Sequence, residues 1–478
     1  MSKLYVFAIG GTGSRVLKSM TMLLAAGVKT NVSEIVPIII DPDAACGDKT
    51  DTVQIMNEYS QIYDSLSHHA GSKINGFSTK LSKLNFPTEY VMPMGTNTNT
   101  TFGSYMQFGS LSDENTALVN MLFSEDNQNA DMTIGFTGNP NIGSVVLNQF
   151  ASSPEFAQFA SNFAPGDKIF IISSIFGGTG ASGFPLLLKN LRHIDPNLHI
   201  PNAAAIQNAE IGAITVLPYF NIKSEEDAVI DSDTFVSKAK AALSYYEKNL
   251  NTLNVLYYIG DDIKGQQDNN EGGASQRNDA HFIEFASALS IIDFANNSFA
   301  TATPIQTIYK EFGINEDVTD ITLKKLAPQT YLQVARPLTE FTLFCKYLSE
   351  SLHSSYSQEW LKGQYMTSVI GGQFYQTVSQ FASSFLRWER ELESPKHARK
   401  FTPYVLDPRP NDVFGLVKGI SPAKVYLVSA SNWDLVNHYL NKNESSKQAN
   451  QHSDDINGKF LAHLLYGIQQ VVHDKIKF

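Results

Sequence analysis

Three times in this chain an apolar run meets a cluster of glycines and then a helical pattern. The stretches are KLYVFAIGGTGSRV from Lys3, DMTIGFTGNPNIGSVV from Asp131 and KIFIISSIFGGTGASGFP from Lys168. In the third, glycine fills four of the seven positions from Gly177 to Gly183, with hydroxyls at Thr179 and Ser182. A strand that ends on glycine and opens a helix presents backbone N–H groups with partial positive charge, and glycine lets an anion approach them. In a parallel sheet such turns gather at the carboxyl edge of the strands. One such turn is as readily a plain connection. Three in one strand–loop–helix setting point to a phosphate site.

The order of elements agrees with that placement. KLYVFAIGG reads as a buried strand, SRVLKSMTMLLAAGV as a helix and SEIVPIIID as a second buried strand ending on an acid. Residues 45–134 are polar and weakly periodic, and read as a long insertion with some helix. AEIGAITVLPYF and LNVLYYIGDD are further strands, with the helix SDTFVSKAKAALSYYEKNL between them. QQDNNEGGASQRND reads as a solvated linker. AHFIEFASALSIIDFANNSFA reads as a long amphipathic central helix over about 280–300. The expectation is an α/β protein: a doubly wound, mostly parallel sheet over 1–300, then a smaller α+β C-terminal domain over 301–478. That second part is mainly helical, with one strand at KVYLVSAS, a disordered loop at NKNESSKQANQHSDDING and a helical tail.

Composition narrows the partners. The 478 residues carry a formal net charge of -11, with no dense basic stretch, so nothing favours nucleic acid or an anionic membrane. Cys46 and Cys345 are the only cysteines and give neither a metal spacing nor a disulfide framework. No apolar run approaches the length of a membrane span, and the N-terminal apolar run is too short for a signal peptide. A cytoplasmic protein is the expectation. The histidines are scattered, with no H-E-x-x-H, and no G-x-S-x-G elbow occurs.

No G-x-x-x-x-G-K-[ST] occurs, which excludes a Walker-type loop. Gly11-x-Gly13-x-x-Val16 with Asp41 is a degraded dinucleotide fingerprint, so an NAD-linked Rossmann oxidoreductase stays open as an alternative. IFGGTGASGFP resembles the G-G-G-T-G-[ST]-G signature of the tubulin/FtsZ family. GNPNIGSVV is similar to that family's earlier phosphate loop, AIGGTGSRV to its first glycine loop, IGAITVLPYF to the strand after the signature, and LYYIGDD to a later strand. All five occur in the family's order. Phe176 and Ser182 replace the first and last signature glycines.

The resemblance implies GTP or GDP bound with Mg²⁺, and head-to-tail self-association into filaments. It implies phosphate contacts from Gly10, Gly11, Thr12, Gly13 and Ser14, from Gly138, Asn139 and Pro140, and from Gly177, Gly178, Thr179, Gly180, Ala181 and Ser182. Arg15 and Asp261 stand at base-contacting positions. Asp41 and Asp43 end the second strand, and Asp43 is the candidate for holding Mg²⁺ through water. A strand-end turn nucleated by Asp-Pro-Asp is the plain alternative. The family's catalytic acid follows the central helix, but NNSFATATPIQ has none. Glu316 and Asp317 are the next candidates, or else a helix cap, which leaves hydrolysis open. A non-polymerising, nucleotide-gated scaffold, recruiting a protein through the insertion or the C-terminal helices, is the other alternative. Asn296 and Asn297 are expected to cap the central helix.

Overall fold

Strands β1 (Lys3–Ile9), β2 (Glu34–Ile40), β3 (Lys80–Leu81), β4 (Lys168–Ser174), β5 (Glu210–Val216), β7 (Val255–Ile259) and β9 (Ile308–Glu311) form one sheet in the order β3-β2-β1-β4-β5-β7-β9. Every pairing in it is parallel. Strands β6 (Asn221–Ile222) and β8 (Gln266–Gln267) pair with each other, as do β10 (Asp320–Ile321) and β11 (Lys400–Phe401). This computed structural model describes residues 2–66, 76–93, 100–136, 139–222, 232–261, 266–267, 273–299, 305–311, 314, 318–423, 432–443 and 455–478.

A parallel sheet with both faces covered needs strands that are apolar on both sides. Strands β1, β2, β4 and β5 meet this, each buried after its first residue. Tyr5, Phe7 and Ile9 face one layer with Phe156, Phe159, Phe184 and Leu187. Leu4, Val6 and Ala8 face the other. The main helices are α1 (Gly10–Ala25), α2 (Gly47–Asp64), α3 (Pro140–Leu147), α4 (Gly178–Arg192), α5 (Phe282–Asn296), α6 (Pro328–Lys346), α7 (Gln373–Leu392), α8 (Trp433–Asn443) and α9 (Ile456–Lys475). Helix α5, whose Phe282, Phe285, Ala288, Leu289 and Ile292 recur at helical spacing and are buried, is covered on all sides except at Asp293 and Asn296, more fully than the amphipathic helix expected. It lies between the sheet (Phe294 on Phe170) and the C-terminal helices (Phe285 on Trp388).

Several expectations need correction. The residues before the second glycine loop do not form a strand. Asp131 accepts the N–H of Thr133 at 2.8 Å, and Met132–Ile134 close as a 3-10 turn. The polar stretch from residue 45 opens with α2, whose Thr52, Ile55, Met56, Tyr59 and Ile62 are buried in the core. The sheet also continues past residue 300, since β9 pairs with β7. Beyond β9 the described residues are mainly helical, with the two-residue strands β10 and β11 and irregular segments between. KVYLVSAS falls wholly, and the expected disordered loop largely, outside the described residues. Asn297 does cap α5, donating to the carbonyl of Asp293 at 2.9 Å.

Helix α7 buries Glu389 among apolar neighbours, with one carboxyl oxygen accepting from Thr342 at 2.5 Å. Burial pushes its pKa up to about 8, against the hydrogen bond from Thr342 and the charge of Lys346. The unfolded chain loses that proton near pH 4.5 and the folded chain near 8. The stability conferred by the protonated form is therefore complete below about 4.5 and falls as pH rises to about 8, by about 1.4 kcal/mol per pH unit. Glu389→Gln removes this slope. Melting temperatures of variant and wild type should diverge steadily from pH 5 to pH 8, the variant being the more stable at pH 8. A pH-independent gap would contradict the assignment.

Candidate functional site

Strands β1 and β4 are neighbours in the sheet, so the helices that follow them start side by side. Helix α1 begins at Gly10, whose φ of +72° only glycine adopts cheaply. A β-carbon on Gly10 would lie 3.5 Å from the Thr179 β-carbon, so the first and third glycine turns touch. Closeness is also required beneath them. A β-carbon on Gly13 would fall 2.7 Å from the Ala8 carbonyl carbon, and one on Gly180 would fall 2.6 Å from the Ser174 carbonyl oxygen. Both glycines let a helix start press onto its own strand end.

The first-turn amides of a helix have no partner inside the helix. Neither Ile9, before α1, nor Gly177, before α4, supplies a side-chain cap, and neither first turn contains an acid. Gly11, Gly177 and Thr179 are half-buried on the rim, whereas Gly10, Thr12, Gly13, Gly178, Gly180 and Ala181 are buried. The hydroxyls of Ser14 and Ser182 turn back to the carbonyls of Gly10 and Gly178, at 3.4 and 2.7 Å. They brace the helices and do not face the rim.

The second loop arrives differently. Asn139 caps α3 through its own side chain, accepting from the Asn141 N–H at 3.2 Å, and its Nδ2 donates to Asn127 at 2.5 Å. Pro140 supplies no N–H. Helix α3 packs so closely on α4 that a β-carbon on Gly143 would run into the Ser182 hydroxyl. Gly135 reaches Asp43, with 4.0 Å between a would-be β-carbon and that of Asp43. The loop therefore joins the same edge, with its helix start already satisfied. Gly138 lies outside the described residues, as do Glu316 and Asp317.

Four polar residues predicted for this site are engaged elsewhere. Arg15 is buried, 2.5 Å from Glu284 and 2.9 Å from Asp48, with Tyr219 Oη at 3.0 Å. Burial alone would lower its pKa; Tyr219, Glu284 and Asp48 overcome that and hold it well above its ordinary value. Asp261 pairs with Arg399 of the C-terminal region at 2.5 Å. Asp43 accepts from the N–H groups of Ala45 and Gly273, at 3.0 and 2.7 Å. Asp41 accepts from the Asp43 N–H at 3.1 Å, and burial raises its pKa to about 6 against the charge of Lys49.

A further group of residues at the rim escaped sequence reading. Residues 273–279, expected as solvated linker, lie across the first turn. The side-chain nitrogen of Gln276 is 3.7 Å from a would-be β-carbon on Gly11. Asn278 donates to Asp48 twice, at 3.0 and 2.9 Å. Their polarity hid this, because the segment is held by hydrogen bonds and buries little apolar surface.

The fold and site define a class: an α/β protein whose parallel sheet carries two adjoining glycine-opened helices at its carboxyl edge. No family model and no curated protein matches the chain. Among solved structures it is similar to CetZ from Methanosaeta thermophila, at 13% identity over 54% of this chain and 46% of that one, with a TM-score of 0.28. It is similar to the GTPγS-bound protofilament of CetZ2 from Haloferax volcanii, at 13% identity over 64% and 61%, with a TM-score of 0.32. An FtsZ dimer from M. jannaschii gives 15% identity over 54% and 45%, with a TM-score of 0.26. This chain thus spans about half to three-fifths of those chains' own lengths. Such slight likeness leaves the reading of the site to the geometry above.

Removing one partner from the Arg15 cluster strands a buried charge. Glu284→Ala should destabilise the chain by about 3–5 kcal/mol, because it also deletes half of the capping box at the start of α5. Urea unfolding measures this, and a loss below about 1 kcal/mol would mean that water reaches the cluster.

Proposed function

We propose that this protein binds the phosphates of a nucleotide at the adjoining starts of α1 and α4. The observation that carries this is the pair of uncapped, acid-free helix starts meeting at Gly10 and Thr179. Backbone amides there donate to phosphate oxygens, and the two helix dipoles add attraction for negative charge. GTP is the nucleotide to try first, since the glycine turns follow the order of the tubulin/FtsZ motifs. Arg15 and Asp261 are tied to other side chains, so recognition of the base falls to other groups. Asp43 has both oxygens taken by backbone N–H groups and fits poorly as a Mg²⁺ ligand, so no step is assigned to a metal. Self-association into filaments is the second part of the proposal. It draws its support from the sequence motifs and is tested by sedimentation with GTP against GDP.

The charge argument gives a test that separates binding from folding. An acid in the first turn of α4 favours the helix dipole yet repels phosphate. Thr179→Asp should therefore leave the melting temperature unchanged or raised, while weakening binding of a fluorescent GTP analogue at least about tenfold, a loss of about 1.4 kcal/mol. Unchanged affinity would remove this turn from the site. Mass spectrometry of nucleotide released from the purified protein provides the second check. Release of NAD in place of a nucleoside di- or triphosphate would overturn the proposal in favour of a dinucleotide enzyme.

A further inference from the structure

Residues 273–281 touch three parts of the molecule within nine positions. On the rim side, the Gly273 N–H donates to Asp43 at 2.7 Å, and the Gln276 carbonyl accepts from the Asp48 N–H at 3.0 Å. The Gln276 side chain accepts from the Cys46 thiol at 3.6 Å, and its amide nitrogen faces Gly11. Asn278 holds both oxygens of Asp48, one of which also binds Arg15. On the other side, Asp279 accepts from Ser394 at 2.6 Å, and the Ala280 N–H donates to Glu391 at 3.2 Å. The His281 ring sits 4.5 Å from that of His397, and its Nδ1 accepts the Ile283 N–H at the start of α5.

We infer that residues 273–280 are a strap closing over the first glycine turn, and that lifting it is coupled to the C-terminal helices. The inference rests on the phosphate reading of that turn. Gln276 stands over Gly11, so an anion seeking the α1 amides must displace its carboxamide. Beside the two bonds accepted by Gln276, the strap's grip on the rim rests on neutral N–H groups of Gly273 and Asn278 donating to two carboxylates, Asp43 and Asp48. A phosphate beside them weakens that grip twice: its charge repels both carboxylates, and its oxygens offer the same donors a competing acceptor. The strap cannot lift alone. Its last two residues, Asp279 and Ala280, are bonded to Ser394 and Glu391, and His281 just beyond packs on His397, so displacement at Gln276 is carried to α7 and to the segment after it.

The native Cys46 provides the test, because its thiol already touches the Gln276 side chain. In the full-length Gln276→Cys variant, oxidation should link the two cysteines and pin the strap down. Thiol counting and peptide mapping confirm the link. The linked protein should bind mant-GTP at least about tenfold more weakly than the reduced protein, with affinity restored by dithiothreitol. Equal affinity with the link in place overturns the strap. Failure to form the link overturns the contact on which it stands. If neither wild-type nor reduced protein binds mant-GTP, the phosphate reading itself fails, which is a distinct outcome. A second variant works in the opposite direction: Gln276→Ala with Asn278→Ala should speed mant-GTP association several-fold, and slower or unchanged association overturns gating. Coupling has its own readout. All three tryptophans, Trp360, Trp388 and Trp433, lie in the C-terminal half. Unlabelled GTP should change their emission in wild type and not in the linked variant, and an unresponsive wild type overturns the coupling.

Discussion

Arg15 carries a full charge into the interior, and the surrounding structure has to accommodate it. A guanidinium out of water is tolerable only when its donors meet acceptors in good geometry, with opposite charge close by. Here the acceptors come from distant parts of the chain: Asp48 from the first turn of α2, Glu284 from the first turn of α5 and Tyr219 from just beyond β5. One side chain on α1 thereby fixes where two other helices begin. Glu284 also caps α5 by accepting the His281 N–H at 3.1 Å, and Asp48 also holds Asn278. Each carboxylate therefore satisfies the buried cation and a backbone end together. The framing of the rim depends on this cluster more than on any single apolar contact.

The rim's two helix starts differ from several others in the same molecule, although α6 and α7 likewise open without a side-chain cap or a first-turn acid. Ser112, Ser124, Ser153 and Asp455 each cap the helix that follows with their own oxygens. Helix α3 is capped by Asn139 although it packs directly on α4. The chain thus has ready means of satisfying first-turn amides and does not use them at Gly10 and Gly178. Two helix dipoles ending at one place favour a negative group there more than either does alone, since the turns are in contact.

Much of this arrangement was legible in the residues. The strands ahead of Gly10 and Gly177 are apolar on both faces, and only a two-sided core explains that. The stretch before Gly138 misled because Met132, Ile134 and Phe136 alternate like a strand, while Asp131 closes a turn instead. Alternation reports which side is buried and says nothing of a side-chain oxygen within reach of an amide. The segment at Gln276 read as linker for a similar reason: its contacts are polar and its partners, Asp43 and Asp48, lie some 230 positions away. Nor does a sequence reveal that an arginine two residues past a glycine turn will point inward, since that follows from acids at positions 48 and 284 meeting it in space.

Helix α5 explains how an event at the rim would reach the far side. It runs about 22 Å at the usual rise per residue, and both ends are held. His281 and Glu284 cap its start beside the rim. At its other end Asn296 bonds to Lys29 and Asn31, and Lys168 donates to the Asn297 carbonyl at 2.6 Å. A helix pinned at both ends and buried along nearly all of its surface has little freedom to bend, because close-packed interiors pass strain on without absorbing it. Displacement at its first turn is then taken up sideways. There Phe285 stacks on Phe401 with ring centres 4.6 Å apart and leans on Trp388 of α7. Those aromatic contacts can slide at small cost, whereas the ion pairs beneath the rim cannot, so the yielding surface is the one between α5 and the C-terminal helices.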